Sequence, residues 1–156
     1  AKSEIESWPL AGRMVRDMGA IFINRRNRRD IPRAGSEVVK KIEDGEGVII
    51  FPEGTSTKGE EVLPFNSSFL EFAAKNNLPV YYASISYRTP EGEPEASNYV
   101  CWWEDISFVA HLLRMFELKG FTAVLTFGEE PVIKDDRKEL AHYLREKVKE
   151  KFVPVI

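Results

Sequence analysis

Helical and strand-like segments alternate along this chain, and this alternation limits the fold more than any other feature of the sequence. Apolar residues at helical spacing predict helices over residues 8–18, 36–45, 69–77, 106–116 and 136–152. Short apolar or β-branched runs predict strands over residues 20–23, 48–51, 80–87, 99–103 and 121–127. Such alternation is typical of a mostly parallel or mixed sheet flanked by helices. We therefore expect a single α/β domain over residues 1–156.

The composition argues against several classes of protein. Lys and Arg total 22 against 25 Asp and Glu, so the net charge is −3, which argues against nucleic acid as a partner. Cys101 is the only cysteine, so an internal disulfide is excluded and the chain suits a reducing compartment. The apolar runs are a few residues long, whereas a membrane-spanning helix needs about 20.

A charged segment follows the first predicted strand, at the kind of strand end where open α/β sheets usually bind ligands. Arg25 follows this strand after Asn24, and a guanidinium there can hold a phosphate through two parallel hydrogen bonds. For the remaining arginines a solvated loop is the preferred interpretation, with contact to anionic lipid headgroups as an alternative. These are Arg26, Arg28 and Arg29.

A second polar segment follows the strand predicted at 48–51. Pro52 cannot donate to a sheet ladder and therefore ends that strand. Hydroxyls and backbone amides then come together in a turn that can bind an anion. The residues of this turn are Glu53, Gly54, Thr55 and Ser56. A carboxylate does not fit a pure anion site, so Glu53 is interpreted as shaping the loop or orienting a cation. On composition alone, a solvated turn is the favoured alternative.

The two segments together form an ordered pair of motifs. The first is Gly19-x-x-Phe22-Ile23-x-Arg25 and the second is Phe51-Pro52-Glu53-Gly54-Thr55, with a predicted helix between them. Trp8-Pro9 precedes them, and Leu63-Pro64-Phe65 follows them. This order resembles the glycerolipid acyltransferases of the lysophosphatidic acid acyltransferase family. The likeness covers most of the chain and weakens beyond the strand predicted at 80–87.

The resemblance implies transfer of a fatty acyl group, in phospholipid biosynthesis, from acyl-CoA or acyl-carrier protein to a lysophospholipid such as 1-acylglycerol-3-phosphate. It assigns Arg25 to the acceptor phosphate and places the turn from Glu53 to Ser56 in the same substrate-binding loop. No metal and no bound cofactor are implied, because the thioester is a substrate carrier. A lipid acceptor further implies a membrane-associated protein at the cytoplasmic face.

The chain departs from the family pattern at the acceptor loop and in a later strand. The family commonly has Arg where Ser56 stands, so one cation expected at the phosphate is absent, and Lys58 is a candidate substitute. Tyr82 stands where a proline is expected. The sequence leaves the acceptor headgroup, the acyl length, the thioester carrier and the oligomeric state open.

The larger departure concerns the catalytic base. In the family a His followed five residues later by Asp removes the proton of the attacking hydroxyl. Here the fifth residue after His111 is Phe116 and the fifth after His142 is Lys147. No catalytic residue is therefore identified in this chain, which is interpreted as an acyltransferase domain truncated at its N-terminal side and inactive on its own. The alternative is a non-catalytic lipid- or partner-binding domain of the same fold.

The remaining candidates for chemistry receive structural interpretations. His111 lies opposite the apolar side of its predicted helix, and both it and His142 are expected at the surface. Cys101 is expected in the core rather than as a nucleophile. In the strand predicted at 99–103, Trp102 and Trp103 alternate, so one ring is expected inside and one outside, where it can pack or meet a membrane interface.

Overall fold

A computed structural model of the chain describes residues 1, 3–9, 11–24, 27 and 29–155. The described part contains six α-helices: α1 (Ala11–Asp17), α2 (Asp30–Glu43), α3 (Glu71–Lys75), α4 (Ala96–Tyr99), α5 (Phe108–Met115) and α6 (Arg137–Lys151). It contains two strands, β1 (Ala83–Arg88) and β2 (Thr122–Phe127). Short 3₁₀ helices at Ser3–Ser7 and Ser67–Leu70 precede α1 and α3.

The strands β1 and β2 pair in an antiparallel ladder, in which Ala83 lies opposite Phe127. An isolated bridge between Val80 and Val132 extends the pairing. The α/β class is confirmed, since α4 and α6 pack against β1 of this sheet. The sheet itself differs from the mostly parallel or mixed one that we expected, because the ladder in the described part of the chain is two-stranded and antiparallel.

The difference arises where predicted strands fail to join the sheet. No ladder is described over residues 48–51, and Ile49 and Phe51 are 84% and 74% exposed. Extended backbone can be predicted from local sequence, but a ladder also needs a neighbouring strand, which local sequence does not specify.

Residues 21–23 lie instead beside the first residues of the chain. Ile23 N donates to Ala1 O at 2.8 Å, and Ser3 N donates to Ile23 O at 3.1 Å. In a parallel pair, one residue binds through both its N–H and its C=O to two residues of the other segment that are two positions apart. Ile23 binds Ala1 and Ser3 in this way. The predicted strand at 20–23 is therefore present only as a short parallel contact outside the β1–β2 sheet.

The strand predicted at 99–103 is wrong. Helix α4 ends at Tyr99, and the chain turns just after it, where both Val100 N and Cys101 N donate to Ala96 O. Trp102 and Trp103 follow in a loop, where each indole N–H donates to a backbone carbonyl. Trp103 is 44% exposed, whereas Trp102 is half-buried among other rings.

The main core lies between α3 and α6, with Leu140 fully buried at its centre. Helix α6 begins as predicted, because the Asp136 carboxylate accepts hydrogen bonds from Lys138 N and Glu139 N. At the other end of α6, Ser84 of β1 donates to Lys151 O. The sheet thus supplies a donor to a carbonyl that has no partner within the helix.

Helix α5 buries the side that we expected at the surface and exposes the apolar side that we expected in the core. His111 is 6% exposed, while Val109, Leu113 and Phe116 are 64%, 62% and 70% exposed. The surface position predicted for His111 is therefore wrong. Its ring stacks on Trp102 with the centroids 6.2 Å apart. Helical periodicity separates two faces, but it does not say which face the rest of the molecule covers.

No helix of the described residues is long and apolar enough to cross a membrane.

Candidate functional site

Residues 52–66 form a loop, the 52–66 loop, whose ends are joined by a hydrogen bond. Asn66 N donates to Pro52 O at 2.8 Å. Just inside this closure, Gly54 N donates to Phe51 O at 3.1 Å, and Gly54 has a φ of 73°. Glycine adopts this left-handed backbone without steric cost, so the turn favours glycine at position 54.

The Glu53 side chain points into the loop rather than towards solvent. It is partly buried, and its Oε2 accepts a hydrogen bond from Leu63 N at 2.8 Å. Burial raises the pKa of Glu53, while the Leu63 N–H and the positive charge of Arg145 act in the opposite direction. This contact agrees with a loop-shaping role, because the carboxylate joins the two sides of the 52–66 loop.

Arg145 of α6 attaches the same part of the loop to the core. Its Nη2 donates to Val62 O at 2.9 Å, and its Nε donates to Leu63 O at 3.1 Å. Val62 is itself buried, at 4% exposure. Glu53, Val62, Leu63 and Arg145 together form what we call the loop anchor, in which both charged side chains bind backbone groups.

The hydroxyl residues of the loop remain accessible. Thr55 and Ser56 are exposed, and Thr55 Oγ1 donates a long hydrogen bond of 3.4 Å to Ser56 O. Thr57 is used within the loop, since its Oγ1 accepts from Gly59 N at 3.2 Å. The loop anchor therefore leaves two hydroxyl side chains at positions where a ligand can reach them.

Lys58, the candidate substitute for the missing arginine, is already paired. Its Nζ lies 2.9 Å from Glu60 Oε1 and 5.7 Å from the centroid of the Trp103 ring. The hydrogen bond with Glu60 raises the pKa of Lys58, so the ammonium keeps its charge. An anion at Thr55 or Ser56 would compete with the Glu60 carboxylate for this cation.

Gly59 joins the loop to the C-terminal segment. Val155 N donates to Gly59 O at 2.8 Å, and a Cβ at position 59 would lie 2.7 Å from Val155 Cγ2. Gly59 has a φ of 83°, so both its backbone and the neighbouring side chain require glycine.

Arg25 lies outside the described residues, as do Arg26 and Arg28. The backbone that precedes Arg25 is held by side chains at the start of α2. Asp30 Oδ2 accepts from Asn24 N at 2.6 Å, and Arg33 Nη2 donates to Phe22 O at 2.6 Å. The two side chains also pair with each other, and the Arg33 guanidinium lowers the pKa of Asp30.

Comparison with known proteins gives the family. A sequence model of the acyltransferase family matches residues 1–86, which is more than half of the chain. The chain belongs to the glycerolipid acyltransferase family. A lyso-ornithine lipid O-acyltransferase of Rhodobacter capsulatus is 31% identical over 148 residues, 90% of this chain and 52% of that protein. A 1-acyl-sn-glycerol-3-phosphate acyltransferase of Neisseria gonorrhoeae is 31% identical over 127 residues, 81% of this chain and 49% of that protein.

The fold is shared with a solved glycerolipid acyltransferase. The crystal structure of the 1-acyl-sn-glycerophosphate (LPA) acyltransferase PlsC from Thermotoga maritima superposes with a TM-score of 0.55 and 25% sequence identity. The superposition covers 96% of this chain and 54% of that one. The chain thus spans about half the length of the relatives it matches.

The two histidines of this acyltransferase chain lie in different surroundings. His111 is buried, and burial together with the positive charge of Arg114 lowers its pKa, so its neutral form is favoured. His142 is exposed on α6. Neither histidine has the family's Asp at the fifth following position.

The described residues give little support for a nucleophilic cysteine or for a metal site. Burial raises the pKa of the Cys101 thiol, which disfavours the reactive thiolate and agrees with a core cysteine. Among the described side chains, no group of three or more His, Cys, Asp or Glu could hold a metal ion.

Three residues that organise the site were missed in the sequence. Arg145 sits in a highly charged helix, where its contact with a distant loop has no local signal. Asp30 and Arg33 do have a local sequence signal, because an acidic residue in the first turn of α2 is followed three positions later by a basic partner. The pair becomes visible in the sequence once α2 is taken to begin at Asp30 rather than at Ser36.

Proposed function

We propose that the complete protein transfers a fatty acyl group from an acyl thioester to the hydroxyl of a lysophospholipid, and that residues 1–156 bind the acceptor. The observation that carries this proposal is the shape of the 52–66 loop. The loop anchor fixes Glu53 inward and leaves Thr55 and Ser56 exposed, in a family whose named relatives act on lysolipid acceptors.

In the proposed reaction, the acceptor hydroxyl attacks the thioester carbonyl carbon. A carbon–oxygen bond forms, the carbon–sulfur bond breaks, and the hydroxyl proton ends on the released thiol by way of a general base. The base is assigned to a His-x4-Asp motif outside residues 1–156, because neither histidine here has that partner. The acyl donor in this proposal is acyl-CoA or acyl-carrier protein. The proposed place of the reaction is the cytoplasmic face of the membrane.

Two acceptor classes are supported by the names of relatives. One relative is named for lyso-ornithine lipid and another for 1-acyl-sn-glycerol-3-phosphate. Ser56 lacks the charge of an arginine, and Lys58 is paired with Glu60. Acyl transfer to each acceptor, measured with the same thioester, would show which headgroup the complete protein uses.

The role of Arg25 provides the test of acceptor binding. In the complete protein, Arg25→Ala is expected to raise KM for a phosphate-bearing acceptor by at least about tenfold, because one charge-assisted hydrogen-bonding group is lost. The KM for the acyl donor should change little. Arg29→Ala removes the same charge four positions away and serves as the matched control, with near wild-type kinetics.

Equal effects of Arg25→Ala on donor and acceptor would overturn the phosphate role. The non-catalytic alternative makes a different prediction. If the complete protein contains no His-x4-Asp motif and shows binding of lysophospholipid without turnover, the domain binds lipid rather than transforming it.

A further inference from the structure

One peptide group of the 52–66 loop is held at both ends by charged side chains. The oxygen of Val62 and the N–H of Leu63 belong to this single group. Arg145 Nη2 donates to the oxygen at 2.9 Å, and Glu53 Oε2 accepts from the N–H at 2.8 Å. A cation thus lies at the negative end of the peptide dipole and a carboxylate at its positive end. Hydrogen bonds in such a chain polarise and strengthen one another.

The remaining nitrogens of Arg145 also have acceptors within the chain. Its Nε donates to Leu63 O at 3.1 Å, and its Nη1 lies 3.3 Å from Glu146 Oε1. The Arg145 side chain is only 24% exposed. Because each guanidinium nitrogen is directed at a group of the protein, an influence of Arg145 on a ligand has to pass through the loop.

A second contact attaches the same half of the loop to the C-terminal segment. Val155 is buried, and its N–H donates to Gly59 O, three residues before Val62. Both Arg145 and Val155 lie outside residues 1–86, which the acyltransferase family model matches. The second half of the 52–66 loop is therefore held by a part of the chain to which the family match assigns no role.

We propose that Arg145 is a positioning residue for the acyl acceptor. Through the peptide group between residues 62 and 63 it holds Glu53 inward, and this fixes the exposed loop tip, Thr55 and Ser56, where the acceptor binds. The inference rests on the proposed function of the 52–66 loop. It adds to the acceptor site a residue that lies 82 positions after Leu63 in the sequence.

A purely structural role of Arg145 makes a different prediction, and Arg137 provides the comparison. Arg137 lies about two turns earlier on α6 and pairs with Glu71 of α3, so it joins the same helix to the core. If Arg145 only stabilised α6, Arg145→Ala and Arg137→Ala would both lower the free energy of unfolding. Neither would then change the affinity for the acceptor.

Equilibrium binding and steady-state kinetics of the complete protein test the proposal. The acceptors are 1-acylglycerol-3-phosphate and lyso-ornithine lipid, below the concentrations at which they form micelles, and the donor is acyl-CoA. For the acceptor that binds, Arg145→Ala should raise Kd and KM at least about fivefold, with kcat and the donor KM within about twofold of the starting protein. Arg137→Ala should leave all four constants nearly unchanged.

Two further measurements separate positioning from loss of folding. Arg145→Lys should recover part of the acceptor affinity, because an ammonium can bind Val62 O but lacks the planar fork that reaches both carbonyls. Amide hydrogen exchange at Leu63 should become at least about tenfold faster in Arg145→Ala and stay unchanged in Arg137→Ala. If Arg145→Ala does not fold, Arg145→Lys carries the same comparison with a smaller expected change.

Unchanged acceptor binding despite faster exchange at Leu63 would overturn the positioning role. Equal losses of acceptor affinity in Arg145→Ala and Arg137→Ala would also overturn it, since the effect would then follow from the stability of α6. An Arg25→Ala effect without an Arg145→Ala effect would do the same and leave the proposed function intact. Acceptor binding that depends on Arg145 in a complete protein without acyl transfer would support the positioning role and contradict the proposed reaction.

Discussion

Glu53 and His111 are two ionisable side chains that the fold withdraws from water, with opposite effects on their charges. Burial raises the pKa of Glu53 and lowers that of His111, because the charged form is disfavoured in both cases. The motif of Glu53 allowed the interpretation that it shapes the loop, but its hydrogen-bond partner Leu63 N could not be predicted. The exposure of His111 was predicted wrongly, because one helix does not reveal which of its faces is covered.

Burial of His111 gives a pH prediction. Its folded-state pKa lies below the ordinary value of 6.5, so the stability from keeping it neutral is full above that pH and is lost as pH falls through its lowered pKa. His111→Phe should remove this dependence. The free energy of unfolding of the variant should fall less steeply between about pH 7 and pH 5, by at most about 1.4 kcal/mol per pH unit.

Urea unfolding at several pH values measures this difference, and His142→Phe is the control because His142 is exposed on α6. The control should retain the slope of the starting protein. Parallel pH curves for the His111→Phe variant and the starting protein would contradict the interpretation of His111 as a buried neutral side chain.

At the scale of elements, segments with strong local signals were predicted well. Helix α6 starts at its Asp136 cap, and the expected helix and strand at α5 and β2 are present. The segments at 48–51 and 99–103 were predicted less well. An apolar run predicts extended backbone, but whether it enters a sheet depends on distant residues.

The contact between β1 and the end of α6 gives a prediction for these elements. Ser84→Ala removes the donor to Lys151 O at the end of α6, and Ser86→Ala removes the donor to Val153 O, two residues beyond that end. Each should lower the free energy of unfolding by about 0.5–1.5 kcal/mol, the usual net value of one hydrogen bond. Ser36→Ala is the matched control, because Ser36 is exposed and donates to a carbonyl within its own helix.

Urea unfolding again supplies the measurement. Near-zero effects of both β1 substitutions, equal to that of Ser36→Ala, would show that the sheet does not stabilise the end of α6 through these hydroxyls.

At the scale of the whole molecule, the chain contains the 52–66 loop attached to a core by Arg145, and it spans about half the length of its relatives. The motif order predicted the family, because two short motifs in a fixed order carry information that neither has alone. The antiparallel sheet and the contact of Arg145 with the loop could not be predicted. Both depend on which strands and helices become neighbours, and a one-dimensional pattern leaves that open.

A prediction about activity belongs to this scale. Residues 1–156 alone should show no acyl transfer to 1-acylglycerol-3-phosphate from acyl-CoA, because the proposed base lies outside them. The complete protein, assayed under the same conditions, is the positive control, and cooperative unfolding would show that the shorter chain is folded. Turnover by residues 1–156 that is lost in His111→Ala or His142→Ala would place the base within this chain.

The loop anchor also affects which residues of the 52–66 loop can change during evolution. Glu53 binds the N–H of Leu63, and Arg145 binds the carbonyls of Val62 and Leu63, so these bonds use groups that nearly every residue type possesses. Substitutions at positions 62 and 63 can therefore keep these polar contacts, although Val62 must remain apolar because it is buried. Mutations at the exposed positions 55 and 56 can alter the ligand contacts that we propose there without breaking the loop anchor. Selection for a new acceptor headgroup can act on the loop tip alone, while the scaffold beneath it is inherited unchanged.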